Sequence, residues 1–198
     1  MTDASTAISA DDWKLPNRGR VGMLCLILTE SAFFAIFVVA HLFYMGKNLN
    51  GPFATEVLEM PYLASLCLFV SSATITVAIR GLRAGSRALF NGLWLATIAL
   101  GVGFLIFTAV EWYGLIYEDG MTIRTNLLGT TFYSLVGFHA AHVTLGVIML
   151  TGVFIFSLTG FVPVEEAERV EVLSWYWHFV DAVWVVVLTV VYVIPLLL

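Results

Sequence analysis

Near its end the chain contains the stretch Trp175-Tyr176-Trp177-His178-Phe179-Val180-Asp181-Ala182-Val183-Trp184, which leads into an apolar run ending at Leu198. His178 and Asp181 are three residues apart, so a helix places both side chains on one face. A charged residue at the bilayer centre costs about 2.5 to 3.5 kcal/mol on insertion scales, and such residues therefore face the interior of a helix bundle. The stretch predicts a membrane-spanning helix packed against other helices that accommodate its polar groups.

The composition points to the same class of protein. Of 198 residues, 60% are hydrophobic and only 12% are charged, which is typical of a membrane protein rather than a soluble domain. The net charge of −5 argues against a nucleic-acid partner, because such proteins carry a basic patch.

Hydropathy divides the chain into five apolar segments. Each is long enough to cross a bilayer, which takes roughly 20 residues of helix. We predict an all-α fold, a single transmembrane domain (1–198) built as a five-helix bundle behind a polar N-terminal tail (1–19). The helices are expected at about 21–45, 61–79, 88–117, 127–158 and 172–198.

The distribution of basic residues predicts the orientation of the bundle. Lys14, Arg18 and Arg20 precede the first segment, and Arg80, Arg83, Arg87 and Arg169 lie in loops on the same side. The other two loops hold only Lys47 and Arg124. Since cytoplasmic loops carry the excess of Lys and Arg, the N-terminus is expected in the cytoplasm and the C-terminus outside.

Six ionisable residues inside apolar segments are candidates for function: Glu30, Glu111, His139, His142, His178 and Asp181. Glu30 shares the middle of the membrane with His139 and His142, so we expect it to contact one of them. Glu111 and His41 form a second candidate pair by depth. His178 and Asp181 are expected to support each other.

Several readings of these residues remain open. His139, His142 and His178 could together hold a metal or haem, but the chain lacks the Glu-x-x-His pairs of dinuclear sites, so histidines satisfied inside the bundle and no metal site are favoured. Glu30 suits either a structural hydrogen bond or a functional carboxylate in proton movement or lipid contact. With no nucleophile triad, phosphate loop or CxxC pair, the chain itself is predicted not to be catalytic. The tryptophans and tyrosines are expected in packing and at the membrane interfaces.

Five segments, in order, resemble subunit III of the haem–copper respiratory oxidases. They are Thr29-Glu30-Ser31-Ala32-Phe33-Phe34, Ser71-Ser72-Ala73-Thr74, Leu100-Gly101-Val102-Gly103-Phe104-Leu105 with Glu111-Trp112-Tyr113, Phe132 to Val143 with both histidines, and Tyr176 to Trp184. The resemblance covers nearly the whole chain and matches the family's short five-helix form. Thr108 departs from it where a glutamine is frequent, and Ala140-Ala141 where a glycine-containing pair is usual.

The resemblance implies a non-catalytic subunit of a proton-pumping terminal oxidase in the bacterial inner membrane. Its partners would be subunit I and subunit II, which hold the haem and copper, and a larger respiratory supercomplex is left open. It would bind phospholipid and sustain proton uptake. Glu30 matches the family's intramembrane carboxylate, and His139, His142, His178 and Asp181 match its interior polar positions. Arg80, Arg83 and Arg87 are candidates for lipid headgroups.

Three alternatives are kept. The chain could be subunit III of a quinol oxidase or of a relative associated with nitric oxide reductase, since the motifs do not separate these. It could also be an independent membrane haem protein that uses His139, His142 and His178. A transporter is a third class, although the sequence has no inverted repeat to support it.

Overall fold

The computed structural model describes residues 18–47, 51–53, 57–160 and 167–197. Most of the predicted polar tail lies outside these residues. Within them the secondary structure is helical, with no β-strand. The helices are α1 (Arg18–Tyr44), α2 (Tyr62–Arg83), α3 (Arg87–Tyr117), α4 (Leu127–Leu158) and α5 (Ala167–Leu188), followed by a π-helical turn (Thr189–Val193) and a short α6 (Ile194–Leu197).

Five helical stretches are long and apolar enough to cross a membrane, the last one running from Ala167 to Leu197. The all-helical fold with five membrane spans is thus confirmed, while its orientation in the membrane stays a prediction. Arg20, Arg83 and Arg87 lie at one end of the bundle, the arginine end, and the opposite end is the far end.

The helices form a ring in the order α1, α4, α3, α2, α5, which closes by contact of α5 with α1, and α4 also touches α5. Paired contacts show the antiparallel arrangement of neighbours. Ser65 contacts Trp184 and Ser71 contacts Trp177, so α2 and α5 run in opposite directions. Short connections require antiparallel neighbours, as between α2 and α3, where Gly85 turns the chain at φ 77°.

The last helix begins earlier and the second ends later than predicted. Helix α5 begins at Ala167 instead of residue 172, and α2 continues to Arg83 instead of 79. Hydropathy detects the apolar part of a helix, whereas the ends here are polar turns joined by the ion pair of Glu171 with Arg83 at the arginine end. Glu168 in the first turn of α5 also suits the positive end of the helix dipole.

Three tryptophans fill the core between the helices. Trp94, Trp177 and Trp184 are all at most 1% exposed. Their indole N–H groups donate to the carbonyl oxygen of Leu150 at 2.9 Å and to the hydroxyls of Ser71 at 2.9 Å and Ser65 at 3.0 Å, respectively. Each ring therefore packs with its polar atom satisfied, as buried tryptophans require.

Two glycines make room for the Trp177 ring. A Cβ atom at Gly101 on α3 would lie 2.6 Å from Cη2 of Trp177, and one at Gly146 on α4 would lie 2.8 Å from Cζ3. Carbon atoms in van der Waals contact are about 3.5 to 4.0 Å apart. The indole of α5 is therefore wedged against bare backbone on two neighbouring helices, and this brings α3, α4 and α5 close together.

Candidate functional site

A polar contact near the middle of the bundle joins α1 to α4. Nε2 of His142 lies 3.1 Å from Oε2 of Glu30, and both residues are near the midpoints of their helices. The expected contact of Glu30 with one of two histidines is therefore made to His142. The side chain of His142 is 12% exposed and that of Glu30 is 24% exposed, so the pair is largely shielded from the surroundings.

The second ring nitrogen of His142 determines how this pair holds its proton. Nδ1 lies 2.8 Å from the carbonyl oxygen of Phe138, and since a carbonyl only accepts, Nδ1 carries a hydrogen. In the neutral imidazole Nε2 then has no hydrogen, and an ionised carboxylate also only accepts. A hydrogen bond between the two atoms therefore needs one proton, which either of them can hold. Glu30 and His142 thus share one proton, either as an ion pair or as a neutral acid–imidazole pair, and in both cases the net charge of the pair is zero.

His139 has a different environment. The residue is 0% exposed, its ring stacks on Trp184 with centroids 5.1 Å apart, and Phe104 meets it edge-on at 5.5 Å. Neither ring nitrogen has a hydrogen-bond partner among the described residues. The expectation of a satisfied histidine is wrong here, because the side chains packed around this ring are aromatic.

His178 and Asp181 do not bond to each other. Nδ1 of His178 lies 2.7 Å from the hydroxyl of Ser72 on α2, whereas neither carboxylate oxygen of Asp181 meets hydrogen-bond geometry with any described residue. The predicted mutual support is therefore wrong, since His178 bonds to α2 and Asp181 to none of the described residues.

Glu111 and His41 do not form the second pair. The hydroxyl of Tyr192 donates to Oε1 of Glu111 at 2.8 Å, and Nδ1 of His41 lies 3.0 Å from the hydroxyl of Thr131. The prediction matched the two residues by depth alone, but α1 packs on α4 and α5 whereas α3 packs on α2 and α4. Equal depth therefore does not bring them together.

At the arginine end, ion pairs connect three helices. Nη2 of Arg20 lies 2.8 Å from Glu168 and 3.7 Å from Glu171, and Arg83 reaches Glu171 at 2.6 Å. Of the three predicted headgroup ligands, Arg83 is thus engaged with a glutamate, while Arg80 and Arg87 have exposed side chains on the bundle surface.

An apolar groove separates α1 from α5. Its volume is about 340 Å³, and Phe34 and Val38 of α1 face Phe179 and Val183 of α5 across it. Ser31 also lines the groove, but its hydroxyl donates to the carbonyl of Ile27 at 2.7 Å. The lining therefore offers hydrocarbon contacts.

The three histidines considered for a metal or haem site each contact a different residue. Among the described residues no group of three or more His, Cys, Asp or Glu side chains comes together in a way that could hold a metal ion. His142 contacts Glu30, His178 contacts Ser72, and His139 stacks on Trp184.

The hydroxyl partners of these polar groups are not predicted from the sequence. Ser72 bonds to His178 and Tyr192 to Glu111. A usable signal existed for Ser72, because a helical hydroxyl at the same depth as an intramembrane imidazole is a ready hydrogen-bond partner. Tyr192 gave none, since it lies in a π-helical turn that shifts the facing of side chains.

Comparison with known proteins identifies the fold family. The model of the family "Cytochrome c oxidase subunit III" matches residues 7–195. The chain belongs to the cytochrome c oxidase subunit III family.

Relatives named cytochrome c oxidase subunit 3 match most of the chain. The protein of Bacillus subtilis is 35% identical over 166 residues, which cover 82% of this chain and 80% of the relative. That of Corynebacterium diphtheriae is 33% identical over 186 residues, 90% of this chain and 89% of the relative. That of Lemur catta is 33% identical over 184 residues, 87% of this chain and 65% of the relative.

Membership of the subunit III family establishes the general role of the chain. It is subunit III of a haem–copper oxidase, a multi-pass membrane protein of an electron-transport chain, and the family implies association with the other oxidase subunits. Subunit III is an accessory subunit without a metal of its own, so the polar contacts described above are to be read as parts of a bundle rather than of a redox centre.

Proposed function

We propose that this chain is a non-catalytic subunit that packs on subunit I of a proton-pumping terminal oxidase, stabilises it and sustains its proton uptake. The observation that carries the proposal is that the polar groups at membrane depth bind across helices of the same bundle. Glu30 of α1 contacts α4, His178 of α5 contacts α2, and Glu111 of α3 contacts the π-helical turn after α5. Such contacts rigidify a bundle, which suits a subunit that supports a neighbour.

The experiment that tests this proposal is purification of the tagged chain from native membranes in mild detergent, with mass spectrometry and a visible spectrum of the eluate. We expect a large haem-bearing subunit I to co-purify, together with a subunit II. A binuclear copper site in subunit II would indicate cytochrome c as electron donor, and its absence a quinol oxidase. Recovery of the chain alone, or with haem of its own, would contradict the proposal. Fractionation of a bacterial host tests the inner-membrane location.

The role in sustained turnover has its own measurement. Oxidase depleted of this subunit by detergent should start at a rate near that of the intact complex and lose activity within fewer turnovers, because proton supply to subunit I becomes limiting. Adding the purified subunit back should restore the lifetime. An equal number of turnovers before inactivation with and without the subunit would contradict this role.

Phospholipid is the proposed ligand of the bundle. The groove between α1 and α5 can take an acyl chain, because its lining, including Phe34, Val38 and Val183, offers hydrocarbon contacts. Arg80 and Arg87 are exposed at the arginine end, where basic side chains attract anionic headgroups. Arg83 contributes less in this proposal, since Glu171 lies 2.6 Å from it.

The double variant Arg80→Gln/Arg87→Gln is expected to lose anionic lipid. Each arginine near the membrane surface contributes about 1 kcal/mol, so the two together should lower lipid occupancy about tenfold or more. Native mass spectrometry of the complex measures the bound lipid. The matched control is Arg124→Gln in the loop before α4 at the far end, which should keep its lipid, and equal lipid in both variants would contradict the headgroup site.

A further inference from the structure

The α5 helix presents an imidazole on the outer surface of the bundle. His178 is half-buried, and Val185, two turns further along the same face, is 47% exposed. This face is on the α2 side of α5, whereas the groove next to α1 is lined by Phe179 and Val183 on the other side. A strongly polar side chain on a surface at membrane depth is costly if lipid covers it, so its usual neighbour is another helix.

The two nitrogens of this imidazole have partners at different distances within the chain. Nδ1 lies 2.7 Å from the Ser72 hydroxyl. Nε2 lies 3.4 Å from the hydroxyl of Thr76, which is beyond the usual 2.7 to 3.2 Å of such a bond. The Thr76 hydroxyl also donates its single proton to the carbonyl of Ser72 at 2.8 Å. The contact of Nε2 is thus the weaker of the two, and a closer partner could replace it.

Ser72 holds the ring in this orientation. Its hydroxyl is bonded to Nδ1 at 2.7 Å, and a partner on one ring nitrogen fixes the orientation of an imidazole, as outer hydrogen bonds do in functional sites. Asp181, one turn further along the same helix, is 5% exposed and has no hydrogen-bond partner among the described residues. The Ser72 contact leaves Nε2 with only its longer contact to Thr76.

We propose that Nε2 of His178 forms a hydrogen bond with a polar side chain on a transmembrane helix of subunit I, with Ser72 as the positioning residue. This inference rests on the proposed function, because it names the face by which the subunit meets its partner. The small Ala73, exposed next to Ser72 on α2, lets a helix approach closely. Ile148 on α4, by contrast, is a large apolar side chain that is 62% exposed, as suits contact with lipid.

Two substitutions distinguish the proposed bond of Nε2 to subunit I from the bond of Nδ1 to Ser72. In His178→Gln the amide reaches the position of Nε2, while in His178→Asn it replaces Nδ1 and keeps the contact with Ser72. We expect His178→Asn to lower retention of the subunit on the tagged oxidase about fivefold in a detergent wash, the size of one interhelical hydrogen bond in a membrane. His178→Gln should be retained nearly as well as wild type. The control Thr144→Val on α4 removes an exposed hydroxyl that bonds only to its own helix, to Ala140, and should change nothing.

The opposite order would overturn the proposal: loss with His178→Gln and retention with His178→Asn would mean that the imidazole serves only the Ser72 contact inside the bundle. Equal retention of both variants would also overturn it. These results differ from failure of the proposed function, in which the wild-type chain itself would not co-purify with subunit I.

Cross-linking locates the face directly. Both native cysteines are free thiols, so the tests use a Cys25→Ser/Cys67→Ser background in the intact complex. Val185→Cys should cross-link to subunit I, and Ile148→Cys, 62% exposed on α4, should instead react with a lipid-soluble maleimide. Reaction of Val185→Cys with the maleimide as fast as Ile148→Cys, without a cross-link, would show that lipid covers this face and would refute the proposal.

Discussion

Replacing Gly146 with alanine is expected to destabilise the bundle by about 1 to 3 kcal/mol, the usual cost of overpacking a core. The new Cβ would lie 2.8 Å from Cζ3 and 2.9 Å from Cε3 of Trp177. The ring cannot move away without loosening its bond to the Ser71 hydroxyl, which is 2.9 Å long. Gly101→Ala presses on the same ring from α3 and should have a similar cost.

This loss of stability is measured by heating native membranes and then quantifying the fraction of the chain that mild detergent still extracts. Gly152→Ala on α4 is the matched control, because a Cβ there meets nothing within 4 Å. Alanine is the better helix former by up to about 1 kcal/mol, so the control should be neutral or slightly more stable. Trp177→Phe should reduce the cost of Gly146→Ala. If Gly146→Ala and Gly152→Ala behave alike, the close packing of Trp177 is wrong.

The five membrane helices could be predicted because apolar length is a property of the sequence alone. The contact of Glu30 with one of two histidines could be predicted as well, since depth in the membrane follows from position along a helix. Which histidine it is depends on the facing of α4: His142 turns to α1, whereas His139, three residues earlier, turns to Trp184 and Phe104.

The wrong predictions arise because two residues at the same depth in the membrane need not lie at the same helix interface. Glu111 and His41 share a depth but not a helix interface, and the order of helices around the bundle is set by packing, as at Gly101 and Gly146, rather than by hydropathy. His178 and Asp181 share a helix face, but His178 bonds to Ser72 of α2 rather than to Asp181. A single sequence shows period and depth, whereas the partner of each polar group requires the arrangement of all five helices.

Removing both members of the Glu30–His142 pair is expected to cost less than the sum of the two single removals. Glu30→Leu leaves Nε2 of His142 without a partner in a largely shielded site, and His142→Leu leaves the carboxyl of Glu30 unpaired. An orphaned buried polar group costs about 1 to 3 kcal/mol. The double variant loses one hydrogen bond but orphans neither group, so it should be about 1 to 2 kcal/mol more stable than the sum of the single effects. The heating assay in native membranes measures all four proteins.

The shared proton makes a second distinction possible. Glu30→Gln keeps an N–H donor for Nε2 of His142, whose Nδ1 remains bonded to the carbonyl of Phe138, so this variant should lose little stability. A loss of oxidase turnover in Glu30→Gln at unchanged stability would then indicate that the carboxyl works through its proton and not through its contact alone. Thr29→Val is the control, because the Thr29 hydroxyl bonds to carbonyls of its own helix, 2.8 Å from that of Leu26, and its effect should add to that of His142→Leu. Strict additivity of Glu30→Leu and His142→Leu would mean that the two side chains do not interact, and the polar link between α1 and α4 would have to be abandoned.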